Sequence, residues 1–227
     1  MSTAKAAGES AADTQSGLPT GFDATDFDIF EVPAFHDRMP LLRARIKPKL
    51  IQLGEHLNSP VSAALGEQLY THVAQHMRRT VNPPEATWVA FSRSARAYKP
   101  FVHVRVAISA ESVRTSVFVE DYAEDKALFI RNLEQQADRM AEYFEQHPQI
   151  MAYNIPGADG EPLSGISLNA TTLREFAARM RRVKGQHAVF GIDISRKQVI
   201  RKSGKTLTKA VVAAVKTLRP LYEFGKV

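Results

Sequence analysis

Two histidines four residues apart, His72 and His76, lead into a dense run of cations: Arg78, Arg79, Arg93, Arg96, Lys99 and Arg105. The only tryptophan of the chain, Trp88, lies inside that run, with Tyr98 and His103. Guanidinium and ammonium groups donate charge-assisted hydrogen bonds to phosphate or carboxylate, and aromatic faces beside them stack on planar groups. Between residues 78 and 105 six Lys or Arg residues stand against one acid, Glu85, so this segment alone carries +5 of a whole-chain charge of +6. These residue types point to an anionic partner, either a phosphate-bearing small molecule or nucleic acid. The candidate ligand-binding set is Arg78, Arg79, Trp88, Arg93, Arg96, Tyr98, Lys99, His103 and Arg105. A solvated basic surface is the plain alternative, because charge governs steering and solubility more directly than function.

The histidines suggest a second chemistry. Read as helical, His72 and His76 share one face. His-x-x-x-His can hold a metal, and His103 could supply a third ligand. Val73 follows the first histidine where a metalloprotease H-E-x-x-H has Glu. No Cys or carboxylate completes the set in sequence, so the simpler expectation is a half-buried, hydrogen-bonded His76 and an exposed His72. An enzyme built on this His/Arg cluster, with or without a metal, is thus an alternative to a binding domain. A scaffold that docks an acidic protein is another. No catalytic residue is assigned and no cofactor is expected.

Other fragments imitate motifs without completing them. "KSGKTLTK" carries the Gly-Lys-Thr of a phosphate loop, but Val199 stands where the first glycine belongs, so Gly204 and Lys205 are expected to open a helix. "SGIS" lacks the flanking glycines of a nucleophile elbow. "FDATDFD" lacks the glycine and terminal Glu of a calcium loop and reads as solvated turn and helix-start carboxylates. "NAT" at Asn169 matches a glycosylation sequon and carries no meaning in a cytosolic chain.

Elements must position these groups. Phe35, Met39, Leu42, Ile46, Leu50, Leu53 and Leu57 recur at three and four, the stripe of an amphipathic helix, with kinks expected at Pro40 or Pro48. "SPVSAALGEQLYTHVAQHMRRT" predicts a second helix, with Ser59 as N-cap and Pro60 behind it. It would end at Pro83-Pro84, with Arg78 and Arg79 at its C-terminus. Three strands follow: "ATWVAFSR", "FVHVRVAIS" and "SVRTSVFVEDY", joined as an antiparallel meander. In the second, Val102, Val104, Val106 and Ile108 face the core, and Phe101, His103 and Arg105 face the other way. A helix over 124–147 comes next. Two short strands lie within "QIMAYNIPGADGEPLSGISL". A helix starts at a Thr172/Glu175 capping box and stops near Gly185. "HAVFGIDIS" is a strand and "KTLTKAVVAAVKTLRPLYEF" a final helix. A block of strands followed by alternation implies an α+β fold: a mainly antiparallel sheet with several helices packed on one face.

The chain has 227 residues, 44% hydrophobic and 24% charged, and no cysteine. Disulfides, thiolate catalysis and Cys-bound zinc are excluded. Residues 1–21 are small and polar and are expected to form a disordered tail, leaving 22–227 as a single domain. No apolar run approaches the ~20 residues of a membrane span, and no secretory signal is present, so no membrane partner and a cytoplasmic location are expected. Oligomeric state is not encoded in any pattern of this kind.

The stretch "HVAQHMRRTVNPPEATWVAFSRSARAYKPFVHVRVAI" closely resembles the signature of the YktB-like bacterial family, a domain of unknown function. The family pattern runs approximately H-V-A-K-H-x-R-R-T-V-N-P-P-x-D-T-W-V-A-F, then R-G-Y-K and P-H-F. It is matched at His72, Val73, Ala74 and His76, from Arg78 to Pro84, from Thr87 to Phe91, and again at Arg96, Tyr98, Lys99 and His103. Ala86, Ala97 and Val102 replace the family's Asp, Gly and Pro. The resemblance extends upstream to "FDIFEVPAFHDRMPLLRARIKPKLIQLG" and downstream to "LRPLYEF". It implies a cytoplasmic α+β single domain and no particular reaction.

Overall fold

The structure is a computed structural model and describes residues 21–77, 79–156 and 162–226. The proposed tail, apart from Gly21, and Arg78 lie outside the described residues. The helices are α1 (Ala24–Asp28), α2 (Phe35–Leu41), α3 (Lys47–Leu65), α4 (Lys126–Gln135), α5 (Ala137–Gln146), α6 (Ala170–Arg182), α7 (Arg196–Val199) and α8 (Gly204–Glu223). The strands are β1 (Tyr70–Val73), β2 (Ala86–Ser92), β3 (His103–Ser109), β4 (Ser112–Val119), β5 (Met151–Pro156), β6 (Pro162–Ser164) and β7 (Ala188–Ser195). They form one seven-stranded sheet in the order β1-β2-β3-β4-β7-β5-β6, and every adjacent pair is antiparallel.

Strand parity decides the two faces. Val104, Val106 and Ile108 pair across to Val117, Thr115 and Val113, and these in turn to Phe190, Ile192 and Ile194. That face is covered by helices. Phe190 stacks on Phe144 of α5 and meets Phe176 of α6 edge-on, while α3 and α8 pack on each other and on β1 to β4 and β7. The α+β architecture with helices on one face is therefore the one the strand and helix patterns imply. Gly54 marks how closely α3 lies on the sheet, since a Cβ there would sit 2.9 Å from Val89 Cγ2.

The helix expected from Ser59 to Thr80 does not form. α3 instead runs on through Pro60 and ends at Gly66, whose φ of +70° suits a left-handed C-cap. A proline inside a helix costs ~3 kcal/mol. Here burial of Leu57, Val61, Ala64 and Leu65 continues the apolar stripe and offsets it. The proline disturbance expected upstream appears as a π-helical stretch over Leu42–Ile46, after Pro40. Beyond Gly66 the chain turns extended, and β1 pairs with β2 at the sheet edge, His72 opposite Ala90. His72 is thus on a strand and His76 in the following loop, not on one helical face. Arg79 lies in that loop rather than at a helix end.

Three smaller differences follow local chemistry. The 124–147 helix breaks at Gln136, so that α4 and α5 each pack on α6. The N-cap of α6 is Asn169, whose Oδ1 accepts from the Thr172 backbone N–H at 2.9 Å, so Thr172 is not the cap. In "FDATDFD", Asp23 caps α1, and Asp26 is fully buried against Arg45 and Lys49 rather than solvated.

Candidate functional site

The face of β3 opposite the helices is not a solvated polar surface. His103 is 0% exposed and Arg105 is 7% exposed. Parity places Trp88, Ala90, His103, Arg105 and Phe118 on this face. The connection between β2 and β3 brings Tyr98 against His103, ring centroids 5.0 Å apart. The Arg105 guanidinium lies 3.4 Å from the Phe118 ring centroid, 4.8 Å from Trp88 and 5.5 Å from Tyr98. Its charge is matched by Glu120, with Nη2 2.5 Å from Oε1. Burial pushes the Arg105 pKa down, and Glu120 opposes this. Arg105 therefore serves as the floor of an aromatic cage, its charge already neutralised.

His103 is committed at both nitrogens. Nδ1 lies 2.7 Å from the Phe101 carbonyl, to which it must donate, and Nε2 accepts from Arg105 Nε at 2.9 Å. Burial, followed by the Arg105 charge, drives its pKa well below the ordinary histidine value. With no free lone pair, His103 in this arrangement is neither a metal ligand nor a proton acceptor. His72 donates from Nε2 to the Ser94 carbonyl at 2.8 Å, so it is half-buried and tied rather than freely exposed. His76 is half-buried and hydrogen-bonded, as expected: its Nε2 lies 3.1 Å from Thr87 Oγ1, and its ring meets Trp88 edge-on at 5.2 Å. Its φ of +50° is the one positive value at a non-glycine residue among those described. Burial, then Arg79 and Lys99, push its pKa down to about 4. Among the described residues no three His, Asp or Glu side chains converge as a metal cluster.

Above this floor, at the β1 edge, a cavity of about 520 Å³ is lined by residues that include His76, Met77, Arg79, Trp88, Tyr98, Lys99 and Tyr122. A second, of about 450 Å³, adjoins it and is lined by His72, Val73, Gln75, Arg96, Ala97, Tyr98 and Lys99. Among the described residues, no carboxylate lines either cavity. The Arg79 guanidinium donates to the backbone carbonyls of Asn82 and Pro83, at 3.3 and 3.4 Å. Among the described residues, neither Arg96 nor Lys99 has a carboxylate partner. Trp88 Nε1 donates to Tyr98 Oη at 3.2 Å and so orients both rings. The structure thus gathers Arg79, Trp88, Arg96, Tyr98 and Lys99 around one cleft, with His103 and Arg105 beneath it. Arg93 is drawn away, paired with Asp125 at 3.1 Å and lying 4.5 Å from the Phe101 ring centroid. Sequence reasoning missed Gln75, Met77 and Tyr122. Tyr122 closes the third strand segment and is 63% exposed, an aromatic position that only strand pairing brings to the cleft.

Neutral, buried imidazoles have a consequence for stability. In the unfolded chain histidine takes up a proton near pH ~6.5. In the folded chain His103 and His76 do so only at lower pH. Their contribution is complete above the unfolded pKa and is lost as pH falls toward the folded values. The urea midpoint is expected to fall between about pH 7 and about pH 5, with a smaller fall in His103→Gln. An equal fall in wild type and variant would show that His103 is not held neutral.

Fold and cleft together define an α+β protein with an open antiparallel sheet, helices on one face and a cationic, aromatic-lined cleft at one sheet edge. The family described as "Domain of unknown function (DUF1054)" matches residues 22–222. The chain belongs to this family. It is similar to a UPF0637 protein of Shouchella clausii, 28% identical over 214 residues that cover 90% of this chain and 94% of the relative. A UPF0637 protein of Bacillus licheniformis is 30% identical over 211 residues, covering 88% and 94%. One from Staphylococcus carnosus is 35% identical over 119 residues, covering 52% and 59%. Among the described residues no helix is long and apolar enough to cross a membrane.

Proposed function

We propose that the domain binds a phosphate-bearing anion in the cleft between Arg79, Lys99, Trp88 and Tyr98. The observation that carries this reading is a cavity of about 520 Å³ whose lining includes Arg79 and Lys99 and, among the described residues, no acid. That volume falls in the range of ~300–1,000 Å³ typical of small-molecule sites. Lys99 and Arg79 would hold the anion, while Trp88 and Tyr98 would flank any planar group attached to it. His76, uncharged at neutral pH, would lie beside the anion without adding charge. A cytoplasmic location fits this reading, because phosphate-bearing metabolites are abundant there.

Trp88, as the only tryptophan, makes the cleft its own reporter. Pyrophosphate or a nucleoside triphosphate added at low salt is expected to change its fluorescence saturably. Lys99→Ala should weaken binding about tenfold or more, the effect of one charge-assisted hydrogen bond. A flat titration with every phosphate tried, or an affinity indifferent to Lys99→Ala, would sink the proposal. A cleft that ignores phosphates yet captures an acidic polypeptide would favour the scaffold reading.

A further inference from the structure

The cleft does not end at its two cavities. A third, small concavity of about 40 Å³ is lined by residues that include Arg43, Lys47, Gln75, His76 and Thr87. Gln75 lines all three, and its side-chain carbonyl accepts from Lys47 Nζ at 2.8 Å. The first cavity shares Val73, Gln75, Tyr98 and Lys99 with the second, and Ala74, Gln75 and His76 with the third, so it lies between them and the three form a row. Each brings its own cations: Arg43 and Lys47 in the third, Arg79 in the first, Arg96 in the second, with Lys99 shared by the larger two. Among the described residues, no carboxylate lines any of them. A single phosphate group can engage only part of such a row. A chain of phosphates can engage all of it.

We infer that this row of cavities is a track for a segment of single-stranded nucleic acid, an inference that rests on the anion-binding reading above. Aromatic rings accompany the cations: Trp88 and Tyr122 in the first cavity, and Tyr98 in both larger ones. Unpaired bases stack on such rings irrespective of sequence, while the charged row follows the backbone. A duplex keeps its bases stacked on one another and offers none to the cavities. The exposed apolar side chains at the rim, Met77 at 85% and Tyr122 at 63%, fit a site that covers planar groups and not phosphate alone.

The test compares full-length protein binding to thymidine monophosphate, oligo(dT) of two, four and eight nucleotides, an eight-base-pair duplex, polyglutamate and pyrophosphate, read by Trp88 fluorescence at several salt concentrations. Affinity should rise with oligomer length to about four nucleotides, the short end of single-strand site sizes, and then level off. The log–log salt slope for the longest oligomer should be about −2 or steeper, at ~0.7 per phosphate contacted. Arg43→Ala and Arg96→Ala, at opposite ends of the row, should each reduce that slope by about 0.7 and weaken the octamer more than pyrophosphate. Both side chains are exposed, so folding is not at stake. An octamer bound no tighter than the mononucleotide, a duplex or polyglutamate bound as well as the single strand, or end variants without effect would overturn the inference. In each of those cases, pyrophosphate binding that depends on Lys99 leaves the anion site standing. Loss of pyrophosphate and oligomer binding together removes both.

Discussion

Replacing Glu120 by alanine is expected to destabilise the protein by about 3–5 kcal/mol, the usual cost of removing one partner of a buried ion pair. Arg105 and Glu120 have side chains 9% and 8% exposed, and the second Glu120 oxygen lies 3.3 Å from His187 Nδ1. Without the carboxylate the guanidinium would be left charged beneath Trp88, Tyr98 and Phe118, with little water to replace its partner. Glu120→Gln keeps an acceptor and removes the charge, so it should fall between wild type and Glu120→Ala. Urea unfolding gives both values. Because Arg105 is the floor of the cage, Glu120→Ala should also disturb the Trp88 emission of the folded protein. A loss under about 1 kcal/mol, the range of exposed pairs, would show that water reaches this pair in solution.

The second large effect lies on the other face. Phe190→Ala should cost about 3–5 kcal/mol, the range for truncating a buried phenylalanine. Phe190 is fully buried and paired in register with Val117 and Ala152. It stacks on Phe144 at 5.8 Å and meets Phe176 edge-on at 6.2 Å. One ring thus ties β7 to both α5 and α6, and truncation leaves a cavity between rigid neighbours. The two substitutions should be of similar size in stability and different in the cleft. Phe190→Ala acts across the sheet, so Trp88 emission in the folded variant should match wild type. A comparable change in Trp88 emission in both variants would mean that the two faces are not independent.

Much of the fold is legible in the chain because its signals are local and repeated. Val104, Val106 and Ile108 alternate, so β3 and its core face follow from period two alone. The stripe from Met39 to Leu57 and that of α8 follow from period 3.6. β1 is not legible in this way. Leu65, Leu69, Val73 and His76 recur at spacings that suit a helix, and "YTHV" has no strict alternation. It becomes a strand because Gly66 takes a left-handed turn and the edge of β2 offers unpaired backbone groups. That one difference moves His72 and His76 from a shared helical face to a strand and a loop.

The candidate site divides along the same line. Residue types alone determine that the segment from His72 to Arg105 is cationic and aromatic and that thiol chemistry is absent. Charge and side-chain chemistry are properties of composition and need no geometry. Which cations remain available is decided only by tertiary contacts. Arg105 meets Glu120 fifteen residues on, and Arg93 meets Asp125 thirty-two residues on. These carboxylates are ordinary acids in the sequence, and nothing local marks them as partners. Among the described residues Arg79, Arg96 and Lys99 meet none, and the β1 edge places them around one cleft with Tyr122. Pairing of distant charges and closure of a sheet edge are long-range events, so composition sets the chemistry and the fold selects the residues able to perform it.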